Sequence, residues 1–119
     1  MGKIYSTNIG PKFIAEIENV SQHKKISITS PLFYEGQIPV AAILLINGHI
    51  QLLKNKKMKI KLSAGSLVGF NELMTNTPVK LEAIVEAESI LCFLDKSTIL
   101  EIMKYGQRNL ADFFKEEAQ

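Results

Sequence analysis

Two apolar runs meet at Asn47-Gly48 in "AAILLINGHIQLLK", residues 41 to 54, and this junction constrains the fold more than any other stretch. Asn-Gly is favoured where both turn residues need positive φ. The segment therefore predicts a hairpin between an apolar strand and one alternating through Ile50 and Leu52. A second hairpin is expected in "LLKNKKMKIKL", turning at Asn55, with Met58, Ile60 and Leu62 alternating against lysines. "KISITSPLFYEGQ" reads as one half-buried strand through Ile26 and Ile28 that turns at Glu35-Gly36. "EAIVEAESILCFLD" alternates through Ala83, Val85 and Ala87 before the wholly apolar "ILCFL". With 119 residues, 46% of them hydrophobic, the chain has enough material for one compact core and too little for two ordinary domains.

Helical periodicity flanks these strands. "KFIAEIENV" spaces Phe13, Ile14 and Ile17 for a short helix. Asp95 is placed to cap a helix with Ile99, Ile102 and Met103 on one face, and Gly106 stands where a left-handed C-terminal cap would fall. From Gln107 to about Lys115, Leu110, Phe113 and Phe114 recur at i, i+3 and i+4. A terminal amphipathic helix needs a surface for that stripe, either the chain's own body or a partner. The expected organisation is an N-terminal arm over 1–11 and a single domain over 12–119. Within it, a β-roll covers about 26–94 and C-terminal helices about 95–117. The fold class is mainly β, an antiparallel β-roll or jelly roll with flanking helices.

Composition excludes several functions. Cys92 is the sole cysteine, so no intrachain disulfide can form, and a reducing cytoplasm is the expected compartment. No apolar run nears the roughly 20 residues that span a bilayer. "MGKIYS" matches the Gly2-plus-Ser6 acylation pattern, but so short a match arises easily by chance, and no membrane partner is expected. The net charge of +2 rests almost wholly on lysine, Arg108 being the single arginine. Lysines 54, 56, 57, 59 and 61 read as the solvated face of a hairpin. Without interleaved aromatics or arginines they predict no nucleic acid partner. His23 and His49 stand apart from each other and from Cys92, so neither a metal site nor a nucleophile–base pair can be assembled, and no enzyme is expected. A cupin-like metal enzyme would lack its histidines.

Three segments carry a family likeness: "FYEGQIPVAAILLINGHIQLLK", with Gly36 and Gly48 twelve residues apart, "LSAGSLVG", and "DKSTILEIMKYGQRNLADFF". Together they resemble the cyclic nucleotide-binding domains over about residues 13 to 115. The resemblance implies a β-roll closed by C-terminal lid helices, with cAMP or cGMP as ligand. It also implies a phosphate-binding cassette, in which a glycine and a glutamate open a short helix whose N–H groups face the cyclic phosphate, the glutamate accepts from the ribose 2′-hydroxyl, and an arginine followed by small residues pairs with the phosphate. Physically, such a cassette is a helix N-terminus completed by a bidentate guanidinium.

Carried onto "GSLVGFNELMTNTPVKLEA", residues 65 to 83, the cassette fits in two registers. Keeping Gly69 in the glycine position puts Phe70 in place of the glutamate and Val79 in place of the arginine. Matching Glu72-Leu73 puts Leu81 in the arginine position, with Glu82 beside it and Ala83 following; this second register also matches Val85, Ala87 and Ser89. Both registers lack the arginine, and Lys80 is the nearest cation, without the planar fork that fits two phosphate oxygens. A Glu82 carboxylate about 4 Å from a phosphate would cost around 4 kcal/mol at an effective dielectric near 20. The expectation is a stand-alone regulatory module with a degenerate cassette and no cofactor. It would act by protein–protein contacts, with a protein partner or as a homodimer, through Leu110, Phe113 and Phe114. The alternative is a genuine cAMP or cGMP sensor that uses Glu72, the helix N–H groups and Lys80.

Overall fold

The computed structural model describes residues 5–6, 11–105, 111–112 and 114–115. In chain order the elements are β1 (Tyr5–Ser6), α1 (Pro11–Val20), β2 (His23–Lys25), β3 (Ser30–Phe33), β4 (Ala41–Asn47), β5 (Ile50–Lys54) and β6 (Lys57–Leu62). They continue with β7 (Leu67–Val68), α2 (Phe70–Thr75), β8 (Glu82–Val85), β9 (Ile90–Asp95) and α3 (Lys96–Tyr105). All strand pairs are antiparallel. They form a five-stranded sheet in the order β1-β7-β4-β9-β2 and a four-stranded sheet in the order β3-β8-β5-β6.

The layering explains the two kinds of apolar pattern. The five-stranded sheet lies between the other sheet and the helices, so β4 is covered on both sides. Ile43 and Leu45 pack with Ile50, Leu52, Val85 and Leu91 between the sheets. Ala42 and Leu44 pack with Ile17, Phe70, Ile99, Ile102 and Phe114 under the helices. A strand covered on both faces must be apolar at every position, which is why "AILL" and "ILC" run without alternation. β5 and β8 each bury one face and therefore alternate. Asp95 caps α3 as expected: Oδ1 accepts the Thr98 N–H at 2.8 Å and the Ser97 hydroxyl at 3.1 Å. These bonds hold the Asp95 carboxyl below its ordinary value.

Three strand expectations need correction. The Asn47-Gly48 junction is no hairpin, because β4 and β5 belong to different sheets and the chain crosses between them there. Gly48 does adopt φ 97°, but its lack of a Cβ serves close approach: an added Cβ would stand 2.7 Å from Ser89 Cα and 2.1 Å from Ser89 Oγ. Ser89 is fully buried, and its Oγ accepts the His49 N–H at 3.1 Å. The single strand expected through Ile26 and Ile28 is instead two strands, β2 and β3, in different sheets. Residues 26–29 cross between sheets beside residues 86–89, tied by Ile26 N–H to Ser89 O at 2.8 Å and Glu88 N–H to Ile26 O at 2.7 Å. Ile28 is left 75% exposed in that crossing.

The Asn55 hairpin forms as expected. Asn55 (φ 54°) and Lys56 (φ 64°) make a two-residue loop closing Lys54 against Lys57. Leu52 pairs with Ile60 and Leu53 with Met58, so Lys59 is an extra, bulged residue. The bulge shifts the face of everything beyond it, and Met58 joins Leu53 on the outer side, 55% exposed, instead of following Ile60 and Leu62 inward.

Candidate functional site

Gly69 ends β7 in a left-handed conformation (φ 79°), and α2 begins directly after it. Glycine suits this point twice: it tolerates positive φ, and a Cβ would come within 3.0 Å of the Phe33 ring. α2 is six residues long and two-faced. Phe70 and Leu73 enter the core, while Asn71, Glu72 and Thr75 line a cleft of about 550 Å³. The helix stops at Asn76, again left-handed at φ 57°. The chain then returns along the opposite wall as Thr77, Pro78, Val79 and Lys80.

A second turn closes the cleft. Gly36 N–H donates to Val79 O at 2.8 Å and Val79 N–H donates to Gln37 O at 2.9 Å, clamping the Tyr34–Gln37 turn onto the return segment. This brings Glu35 to the rim, where it forms an ion pair with Lys54 from the β5 end of the Asn55 hairpin. Among the described residues, those with charge that line the cleft are Glu35, Glu72, Lys54 and Lys80, with formal charges that cancel. Thr75 Oγ1 donates to Asn71 O at 2.7 Å, and the Thr75 and Thr77 hydroxyls meet at 2.8 Å.

Glu72 is the unusual group. Partial burial pushes its carboxyl above the ordinary value, opposed by a hydrogen bond from its own backbone and by the charge of Lys80. Its Oε1 is buried with no hydrogen-bond partner. Such an acceptor costs about 1–3 kcal/mol relative to a satisfied one.

Of the residues singled out by resemblance, the fold brings Glu72 and Lys80 together across the cleft. Gly69 shapes the start of α2, and Phe70 and Leu73 are core. Leu81 packs on the inter-sheet core and Ala83 is fully buried within it. Because Ala83 points inward, strand alternation turns Glu82 to the outer face, opposite Leu53. Glu82 does not line the cleft, so the repulsion expected from it is absent there. Leu110, Phe113 and Arg108 lie outside the described residues. Phe114 is fully buried and stacks on Phe70, closing over the chain's own roll.

Sequence reasoning missed Glu35 and Lys54 as lining residues. Glu35 reads simply as a turn residue, and Lys54 is hidden among its neighbouring lysines. Elsewhere, His23 pairs with Glu18 at 2.7 Å and burial raises the Cys92 thiol, disfavouring the thiolate. Among the described residues no group of three or more His, Cys, Asp or Glu is set to hold a metal ion. No helix among them is long and apolar enough to cross a membrane.

A two-sheet antiparallel roll, helices on the outer face of one sheet, and a cleft between a short helix and the segment that returns from it define the cyclic nucleotide-binding domain fold, and the chain has that fold. The chain superposes with a TM-score of 0.79, at 16% identity over 94% of this chain and 93% of the other, on a structure described as "A cyclic-GMP-dependent signalling pathway regulates bacterial phytopathogenesis". It matches the Thermus thermophilus catabolite activator protein with a TM-score of 0.68, at 19% identity, covering 92% of this chain and 55% of that one. A cyclic nucleotide-binding-like protein from Brucella abortus bv. 1 str. 9-941 gives a TM-score of 0.66, at 18% identity over 82% and 87% of the two chains. No protein-family model matches the sequence, and no curated protein matches it.

Proposed function

We propose that this chain is a non-catalytic cytoplasmic regulatory module that uses the cyclic nucleotide-binding fold without conventional cyclic nucleotide binding. It acts through protein contacts of its C-terminal helical segment, with a second copy or another protein. The observation that carries this reading is the charge balance of the cleft: Lys54 is engaged by Glu35, and the charge of Lys80 bears on Glu72. Among the described lining residues a phosphodiester meets no guanidinium, and their formal charges cancel. Micromolar affinity corresponds to only about 8 kcal/mol in total, so losing a bidentate charge-assisted contact removes a large share of it. The Phe70–Phe114 stack supports the output side, since it ties the helix that carries Glu72 to the C-terminal segment. A ligand or partner must favour one placement of that segment to shift anything.

A second reading, a genuine cAMP or cGMP sensor using Glu72 and Lys80, is favoured by the orphaned Glu72 Oε1 beside a cleft of ligand size. Calorimetric titration with cAMP and cGMP separates the two. The first reading expects no saturable heat at low micromolar concentration; tight, saturable binding would replace it with the second. Lys80→Arg places a guanidinium on the cleft wall and is expected to raise cyclic nucleotide affinity by about tenfold or more. Leu81→Arg, starting from the inter-sheet core, is not.

A further inference from the structure

We propose that a groove at the open edge between the two sheets is a second ligand site, and that it takes a free medium-chain fatty acid. The acyl chain lies against Ile26, Leu32 and Phe93, with the carboxylate beside Lys24. The groove shares no residue with the α2 cleft.

β2 and β3 are both edge strands, and residues 26–29 carry the chain from one to the other where the sheets part. The groove there has a volume of about 490 Å³, within the range of small-molecule sites. Ile26 and Leu32 pack against the inter-sheet core and Val85 belongs to it, so the floor of the groove continues that core. β2 pairs only with residues 90 to 92 of β9. Phe93 lies just past that pairing and shares the face of Leu91, which turns its ring to the inter-sheet side. With no β2 residue beside it, Phe93 is 38% exposed, and Ile28 on the crossing is more exposed still. Single exposed apolar side chains are ordinary, but several converging on one groove mark a binding surface.

Charge then selects the head group. Lys24 pairs across the strands with Leu91, whose side chain enters the inter-sheet core, so Lys24 turns to the same side and stands on the rim of the groove. Lys25, the other cation there, is engaged by Glu88 at 3.0 Å. Among the described residues, no salt bridge engages Lys24 and no Asp or Glu lines the groove. An apolar floor with an ammonium at its edge fits an amphipathic anion. The alkyl chain gains from burial, and a carboxylate gains a charge-assisted contact that an alcohol or an amine does not.

The test is calorimetry on the intact chain with decanoate, octanoate, 1-octanol and octylamine, each kept below the concentration at which it aggregates. Saturable decanoate binding is expected, with octanoate about tenfold weaker because two methylenes are lost. Octanol and octylamine should bind about twofold to fivefold more weakly than octanoate, the range of an exposed ion pair. Lys24→Gln should lower octanoate affinity by the same factor and leave octanol unchanged. Ile28→Asp changes a side chain exposed enough to spare the fold, and places a carboxylate on the groove. It should weaken decanoate by about tenfold or more while the unfolding midpoint holds. The proposal is overturned if decanoate shows no saturable binding at millimolar concentration, if octanoate and octanol bind equally, or if Ile28→Asp leaves decanoate affinity as it was. Sedimentation equilibrium supplies the remaining arm: a dimer that Ile28→Asp converts to a monomer would give the groove to a second copy of the chain, and the fatty acid assignment would fall.

Discussion

Phe70 and Phe114 stack with ring centroids 5.4 Å apart and planes 12° from parallel, joining α2 to the C-terminal helical segment inside the core. Both rings are buried, and they share the layer that holds Ile17, Leu44 and Ile102. Truncating a buried phenylalanine typically costs about 3–5 kcal/mol, so Phe114→Ala is expected to destabilise the chain by that much. Urea unfolding measures it. A loss below about 1 kcal/mol would mean that the ring does not occupy this core.

Gly48 and Gly36 make a matched pair of positive-φ glycines in different surroundings. Gly36→Ala meets no atom within 4 Å, so it carries only the backbone strain of φ 89°, about 1–2 kcal/mol. Gly48→Ala adds a clash with the Ser89 backbone and should cost about 2–4 kcal/mol in all. Equal losses from the two in thermal unfolding would refute the close approach at Ser89.

Lys56 occupies a left-handed turn position at φ 64°, next to a Lys54–Lys57 cross-strand pair of like charge. Lys56→Gly relieves both the strain and part of the repulsion, and is expected to stabilise the chain by about 0.5–1 kcal/mol after the flexibility glycine adds to the unfolded state. A lower denaturation midpoint in the variant would contradict the turn geometry.

Glu72 predicts a pH dependence of definite sign. Its folded pKa lies above the ordinary 4.5, so folding disfavours the ionised form. That penalty acts fully above the folded pKa, shrinks as pH falls through it, and is gone below the unfolded value. Glu72→Gln should therefore stabilise the unliganded chain at neutral pH, with the difference vanishing near about pH 3. The gain should be about 1 kcal/mol, the low end for an unsatisfied buried acceptor, because solvent screens this partly buried group. Such a gain would mark Glu72 as a residue kept at the expense of stability. A variant less stable than the parent at neutral pH would instead make Glu72 a structural residue.

Features carried by a few neighbouring residues were legible in the sequence by itself: the Asn55 turn and the α3 cap at Asp95. Each is set by local dihedral preference or by a side chain reaching its own backbone, so a short window contains the whole cause. Asn47-Gly48 has the same local signal as a hairpin and becomes a crossing between sheets, because the buried Ser89, 41 residues on, occupies the space beside it. The cleft divides in the same way. Glu72 and Lys80 lie on one helix and the segment that follows it, within reach of a sequence motif. Glu35 and Lys54 meet only because two separate turns converge, and Glu82 leaves the cleft only because Ala83 must enter the core. Those outcomes depend on which faces the assembled sheets bury, a property of long-range packing that no short stretch of chain contains.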